Sequence, residues 1–211
     1  MHRSVRRLIA LAWLALAAGA WACDDYAVES CPAGQGITID DPGAPRLGPA
    51  DARVELELFG DFQCPSTRAL WFRLSTFLDQ LEADGKADAF QIRFHNFPLT
   101  EIHERAYAAA LAAEAAHAQG NDAFWAIFPL LLKTAVELTD ADIAGYAATA
   151  GLDTARFADD LQSPDVAAAV ERDSQLADDL DLPGTPSTLL CGVEVPGDPD
   201  TLVPNLKHLL Y

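Results

Sequence analysis

Apolar and acidic residues alternate along Val54-Glu55-Leu56-Glu57-Leu58-Phe59, the two-residue period of a β-strand with one covered face. Gly60 to Gln63 turns the chain, and the period then lengthens. Leu70, Leu74, Phe77, Leu78 and Leu81 recur at helical spacing, behind Pro65, which suits a first turn, and ahead of Gly85, which suits a stop. Alternation returns in Phe90-Gln91-Ile92-Arg93-Phe94. Strand, helix and strand in this order predict the start of a parallel crossover.

Glu101 to Gln119 is alanine-dominated and helix-forming, with Gly120 as its stop. Asn121, Thr139, Asp153 and Ser163-Pro164 read as caps that open four further helices, the last running towards Asp181. No strand pattern lies between Thr100 and Leu182. Leu182-Pro183-Gly184-Thr185-Pro186 then breaks the helical run. Ser187 to Leu190 and Val193 to Val195 flank Cys191-Gly192 as a closing hairpin, and Asp198 to Leu210 reads as a last helix with Leu202, Leu206 and Leu209 on one face. The class is α/β, in the order of a thioredoxin-like fold with an inserted helical domain. Residues 50–99 and 183–211 form its two parts, and residues 100–182 form the insertion. Residues 23–49, rich in Gly, Pro and Asp, are expected to be a leader loop with one strand-like run, Gly36 to Ile39.

Charge narrows the function classes. The chain has 211 residues, 32 of them acidic against 14 basic, for a net charge of -18. A surface this acidic repels phosphate backbones, so nucleic acid is not an expected partner, and the acidity itself reads as solubility or adaptation to salt. Three of the basic residues, Arg3, Arg6 and Arg7, precede an apolar run from Leu8 to Ala18 that ends in Ala20-Trp21-Ala22. This is the form of a signal peptide over residues 1–22, too short for a transmembrane anchor and followed by no second apolar span. The mature chain is therefore expected outside the cytosol, periplasmic or extracytoplasmic. Cys23 follows the cleavage site and is also a candidate for a lipid anchor, although Ala20 stands where lipoprotein signals usually carry leucine. That lipid is the sole membrane attachment the sequence suggests.

Export admits disulfides, so Cys23, Cys31, Cys64 and Cys191 are to be divided among bridges, lipid and chemistry. None are at metal-binding spacing, and neither a zinc site nor a bound cofactor is expected. His95, His103, His117 and His208 also lack metal spacing and read as surface or helix-end residues, although His95, late in a strand, and His103, early in a helix, are placed where either could approach the site. Trp125 and Phe128 read as core, and the pairs Asp159-Asp160 and Asp178-Asp179 as solvated helix faces.

Cys64 is the candidate catalytic residue. It stands where a strand hands over to a helix, beside unpaired N–H groups and the positive end of the helix dipole, both of which favour a thiolate. Pro65 sets the first turn without wasting a donor. Far downstream, Gly184-Thr185-Pro186 offers an X-Pro bond, the kind in which a cis peptide is affordable. A cis proline there would present the edge of Thr185 to an extended peptide, so Thr185 and Pro186 are the candidate substrate-binding residues.

Leu58-Phe59-Gly60-Asp61-Phe62-Gln63-Cys64-Pro65 with its long helix resembles the start of the DsbA-like thioredoxin-fold family. So do Phe94-His95-Asn96-Phe97-Pro98-Leu99 with its Ala-rich helix, Asn121-Asp122-Ala123-Phe124-Trp125, Gly151-Leu152-Asp153, and Gly184-Thr185-Pro186-Ser187-Thr188. The resemblance runs from about Ala50 to the C-terminus in the family's order. It implies a nucleophilic Cys64, a cis Pro186 facing it, and thiol–disulfide chemistry on exported proteins.

Two residues depart from the family pattern. The second active-site cysteine falls on Thr67, so the motif is Cys64-Pro65-Ser66-Thr67 with one thiol. The buried acid that some members carry six residues before the nucleophile falls on Leu58, and strand alternation turns the neighbouring Glu57 to the opposite face. A lone thiol forms mixed disulfides that an external thiol must resolve, either a second client cysteine or a small co-substrate such as glutathione. The alternative is a redox-inactive module that binds polypeptides in the cis-Pro186 groove. Cys191 lies five residues beyond Pro186, roughly 16 Å along a strand, whereas a bridge needs Cα atoms within about 7 Å, so it is not expected to pair with Cys64. Cys23–Cys31 is the easier bridge if Cys23 carries no lipid; otherwise Cys31–Cys191 is the candidate.

Overall fold

The computed structural model describes residues 30–31, 36–133 and 138–211. The expected signal peptide and Cys23 lie outside the described residues. A five-stranded sheet carries the molecule, in the order β1-β3-β2-β4-β5, with β1 Arg46–Leu47, β2 Val54–Gly60, β3 Phe90–Asn96, β4 Ser187–Leu190 and β5 Val193–Pro196. β2 and β3 run parallel, with α1 (Pro65–Ala83) crossing between them, and the other neighbours are antiparallel. Among the described residues five helices intervene between β3 and β4: α2 Ala106–His117, α3 Asn121–Lys133, α4 Asp140–Thr149, α5 Thr154–Asp160 and α6 Pro164–Asp179. The closing helix, α7, spans Pro199–Leu210.

The pleat sorts side chains into two cores. Val54, Leu56 and Leu58 of β2 join Phe90, Ile92 and Phe94 of β3 on one face, where Leu70, Leu74, Phe77 and Leu81 of α1 and Leu202 and Leu206 of α7 cover them. The main core continues into the helical region through Phe94, whose ring meets those of Phe62, Phe124 and Phe128. α2 is buried on nearly all sides, and its alanines let the neighbouring helices approach. The opposite face holds a smaller cluster of Ile39, Phe59, Ala177, Leu182 and Leu189.

That second face corrects the expectation of one covered side. Ile39 of the leader and Ala177 of α6 close over it, so the Glu57 position is interior and not solvated. Other expectations shift more modestly. The run from 36 to 39 forms no strand, although the Ile37 N–H donates to the Gly192 carbonyl at 2.8 Å, and the leader's strand is instead β1. α2 begins at Ala106, five residues after Glu101, because the intervening turn is held to the site described below. Thr139, Asp153 and Ser163 cap their helices as expected, Thr139 through a full capping box. Asn121 does not: its amide donates to the Arg46 carbonyl and accepts the Arg46 N–H, both at 2.8 Å, pairing with the backbone of β1.

The bridge is Cys31–Cys191, with Cα atoms 5.2 Å apart, so Cys23–Cys31 is excluded. It joins the leader to the β4–β5 turn. Cys191 and Gly192 both have positive φ there, 52° and 77°, the backbone of a tight two-residue hairpin. A chain turning back so tightly brings the Cys191 side chain to the leader, giving the second of the two bridges the sequence offered.

Gly60, where β2 ends, has no room for a side chain. A Cβ there would lie 2.6 Å from Phe94 Cε2 and 3.1 Å from Thr67 Cγ2. Gly60→Ala is therefore expected to lower stability by about 1–3 kcal/mol, the usual cost of overpacking a core, read as a lower urea midpoint at unchanged m-value.

Candidate functional site

α1 starts abruptly because Cys64 is its N-cap, extended at φ -70° and ψ 121°, and Pro65 occupies the first helical position. The Cys64 N–H donates to the Asp61 carbonyl at 3.0 Å, closing the turn out of β2. Cys64 is 6% exposed, and its thiol donates to the Thr185 carbonyl, Sγ to oxygen 3.2 Å. The Thr185–Pro186 peptide is cis. The Cys64 thiol and the X-Pro loop, 121 residues apart in sequence, thus meet directly. Thr185 Oγ1 is buried without a hydrogen-bond partner.

The remaining motif residues divide. Pro65 and Ser66 are exposed, whereas Thr67 is 1% exposed and its hydroxyl accepts the Asp61 N–H at 3.5 Å. Ser66 lines a cavity of about 310 Å³ with Ala69, Thr185, Pro186, Gly197 and Pro199, a groove beside the sulfur. Gly197 lets the chain pack closely on the cis proline, since a Cβ there would lie 2.4 Å from the Pro186 carbonyl oxygen. Cys31 and Cys191, in their bridge, do not take part, and Cys64 is the free thiol among the described residues.

Asp61, Gln63, Arg105 and His103 hold this turn, and of these the sequence pointed only to His103 as able to approach the site. The Asp61 carboxylate accepts the Gln63 N–H at 2.7 Å, the Leu99 N–H at 3.0 Å and His103 Nδ1 at 2.7 Å, and the Gln63 amide oxygen accepts the Arg105 N–H. The segment after β3 is thereby tied to the residues just before Cys64. An Asp in a turn before a helix start is a weak signal, and nothing in the sequence points to His103 as its partner.

A second polar group lies on the other sheet face. His95, expected at the surface, is fully buried; it stacks on Phe59 with centroids 4.6 Å apart, as the β2–β3 register dictates. Its Nε2 is 2.7 Å from Glu57 Oε2, and Glu57 Oε1 accepts from Arg93 at 2.7 Å. Asp173 of α6 accepts the Asn96 N–H at 2.8 Å and the Asn96 amide at 3.0 Å. The same amide group donates to Glu114 of α2 at 2.8 Å, joining α2, α6 and β3. Burial opposes a charge on His95, but the Asp173 and Glu57 carboxylates outweigh it and push its pKa up to about 9.

Comparison with known proteins decides the kinship. The model of the DSBA-like thioredoxin domain matches residues 55–207. The chain belongs to that family. Among solved structures, this DSBA-like chain is similar to a thioredoxin-like oxidoreductase from Silicibacter pomeroyi, with TM-score 0.66 and 28% identity over 79% of this chain and 92% of that one. It is 30% identical over 154 residues to a probable disulfide bond formation protein D of Bacillus cereus, covering 69% of each. It is also 36% identical over 150 residues to Na(+)/H(+) antiporter NhaA 1 of Salinispora arenicola, covering 69% of this chain but 21% of that protein. The chain thus spans about a fifth of the length of that relative. Among the described residues no helix is long and apolar enough to cross a membrane. The DSBA-like kinship is with thiol–disulfide oxidoreductases, on a thioredoxin-like fold.

Proposed function

We propose that this DSBA-like chain is an exported thiol–disulfide exchange protein, periplasmic or extracytoplasmic, that works through Cys64 alone. The observation that carries the reading is the meeting of Cys64 Sγ with the loop of cis Pro186 at a helix start, with Thr67 in place of a second thiol. The Cys64 thiolate attacks one sulfur of a client disulfide; that S–S bond breaks, and the other client sulfur leaves and takes up a proton. The mixed disulfide is then attacked by an external thiol at the client's sulfur. Cys64 leaves as thiolate, and the client carries the new disulfide. If the attacker is the client's second cysteine, the result is isomerisation; if it is glutathione, a glutathionylated client.

The partners under this reading are exported proteins with thiols or disulfides, held as extended chain against Thr185 and Pro186. No cofactor is needed, only a second thiol as co-substrate. A lipid on Cys23 would place the same chemistry at a membrane surface.

Incubating the protein with oxidised glutathione is expected to add one glutathione to Cys64, seen by mass spectrometry, and the adduct persists until a thiol is supplied. An unmodified Cys64, or one that reacts no faster than a model thiol, overturns the reading. The burial of Cys64 and its bond to Thr185 favour one alternative, a redox-inactive polypeptide binder. That reading predicts client binding unchanged in Cys64→Ser and no adduct in the parent.

A further inference from the structure

Behind the sheet, away from the face that α1 covers, one donor atom from each of Asp41, His95 and Asp173 lies within 4.8 Å of the others. The leader, β3 and α6 each supply one of them. His95 Nδ1 is fully buried without a hydrogen-bond partner, and 3.6 Å separates it from Asp173 Oδ1. That gap exceeds the 2.7–3.2 Å or so of a hydrogen bond. It is close to the separation of about 3.4 Å expected for two ligands each 2.0–2.2 Å from a tetrahedral ion. We infer that Asp41, His95 and Asp173 form a binding site for a divalent transition cation of the zinc class.

The surroundings fit this chemistry in three respects. Glu57 holds the far ring nitrogen of His95, the carboxylate–histidine arrangement that orients a metal-bound imidazole and leaves Nδ1 to face the ion. The Asn96 N–H and amide hold the other oxygen of Asp173, Oδ2, so Oδ1 is left towards His95. The charges also balance. Asp41, Asp173 and Glu57 bring three negative charges and Arg93, bonded to Glu57, brings one positive. A divalent cation cancels the remaining two, whereas one imidazolium proton cancels half. Two further carboxylates lie nearby: Glu114 bonds Asn96 and is 3.5 Å from His117, and Glu55 is offset by Arg93 and Arg46. An imidazole ligand selects zinc-class ions over calcium and magnesium, which prefer all-oxygen sites. A cavity of about 200 Å³, lined by Asp40, Asp41 and Glu55 together with Arg46 and Arg93, brings solvent to the leader's ligand. Asp41 Oδ1 also accepts the Gly43 N–H at 3.0 Å, which fixes the carboxylate in its loop.

The inference goes beyond the thiol chemistry and is tested without it. The chain carrying Cys64→Ser, free of any affinity tag and stripped with EDTA, is titrated with ZnCl2 by calorimetry and melted with and without the ion. One equivalent of zinc is expected to bind and to raise Tm, whereas CaCl2 or MgCl2 at the same concentration does neither. His95→Gln and Asp41→Asn each weaken zinc at least about tenfold, since even outer partners of a metal site cost about 10–100-fold. Asp41 is half-buried in a loop, so Asp41→Asn reports on the ligand even if His95→Gln does not fold. Zinc bound as tightly by Asp41→Asn as by its parent overturns the site. A calcium-induced rise in Tm equal to that with zinc overturns the choice of ion.

Discussion

Thr67→Cys is expected to turn a long-lived adduct at Cys64 into a transient one. Thr67 is buried in the first turn of α1, three residues after the sulfur it would serve, and its side chain already faces the turn at Asp61 and Gly60. A thiol at position 67 attacks the Cys64 sulfur of the mixed disulfide, closes a bridge to Cys64 within the chain and expels the client as a thiol. The attack is intramolecular, and effective concentrations for tethered groups exceed those of millimolar solution thiols by orders of magnitude. The glutathione adduct should therefore shorten its half-life at least about a hundredfold, timed by acid quench and mass spectrometry, and the protein should end two hydrogens lighter. An adduct as persistent as in the parent would show that position 67 cannot reach the sulfur, and that more than the missing thiol separates this chain from dithiol relatives.

Glu57→Gln is expected to give the largest loss of stability of any single polar change. Both Glu57 oxygens are committed, one to Arg93 and one to His95, and all three side chains are buried. The amide removes a charge while leaving the Arg93 guanidinium in place. Breaking one partner out of a buried pair typically costs about 3–5 kcal/mol, because the remaining charge stays out of water without compensation. Urea unfolding should show that loss as a lower midpoint at similar m-value, with Cys64 still forming its adduct in the folded fraction. A change under about 1 kcal/mol would mean that the Ile39 and Asp41 carbonyls, which already accept from Arg93, satisfy it without the carboxylate.

Periodicity carried the sequence reading furthest where one interaction dominates. The stripe of α1, the alternation of β2 and β3, and the hairpin at Cys191-Gly192 each follow from local pattern and burial, and the structure has them at those places. Thr185 and Pro186 were legible as a loop, and the structure supplies what sequence could not, the 3.2 Å contact with Cys64. What escaped is long-range and polar. Alternation put Glu57 opposite Leu58, as observed, but could not say that the leader and α6 would cover that face. His95 looked like a surface residue because its partners, Glu57 and Asp173, lie 38 and 78 positions away. The late start of α2 has the same cause: His103 and Arg105 answer to Asp61 and Gln63, so helix-forming residues beside them stay in a turn.

The bridge between leader and hairpin makes a demand the chain cannot meet itself. Closing Cys31 onto Cys191 removes two electrons, and Cys64, the free thiol among the described residues, holds no disulfide there to accept them. The leader that carries Ile39 and Asp41 over the second face is thus fastened by an oxidant from outside. A member of a disulfide-handling family thus depends on an electron acceptor other than Cys64 to fasten its own leader.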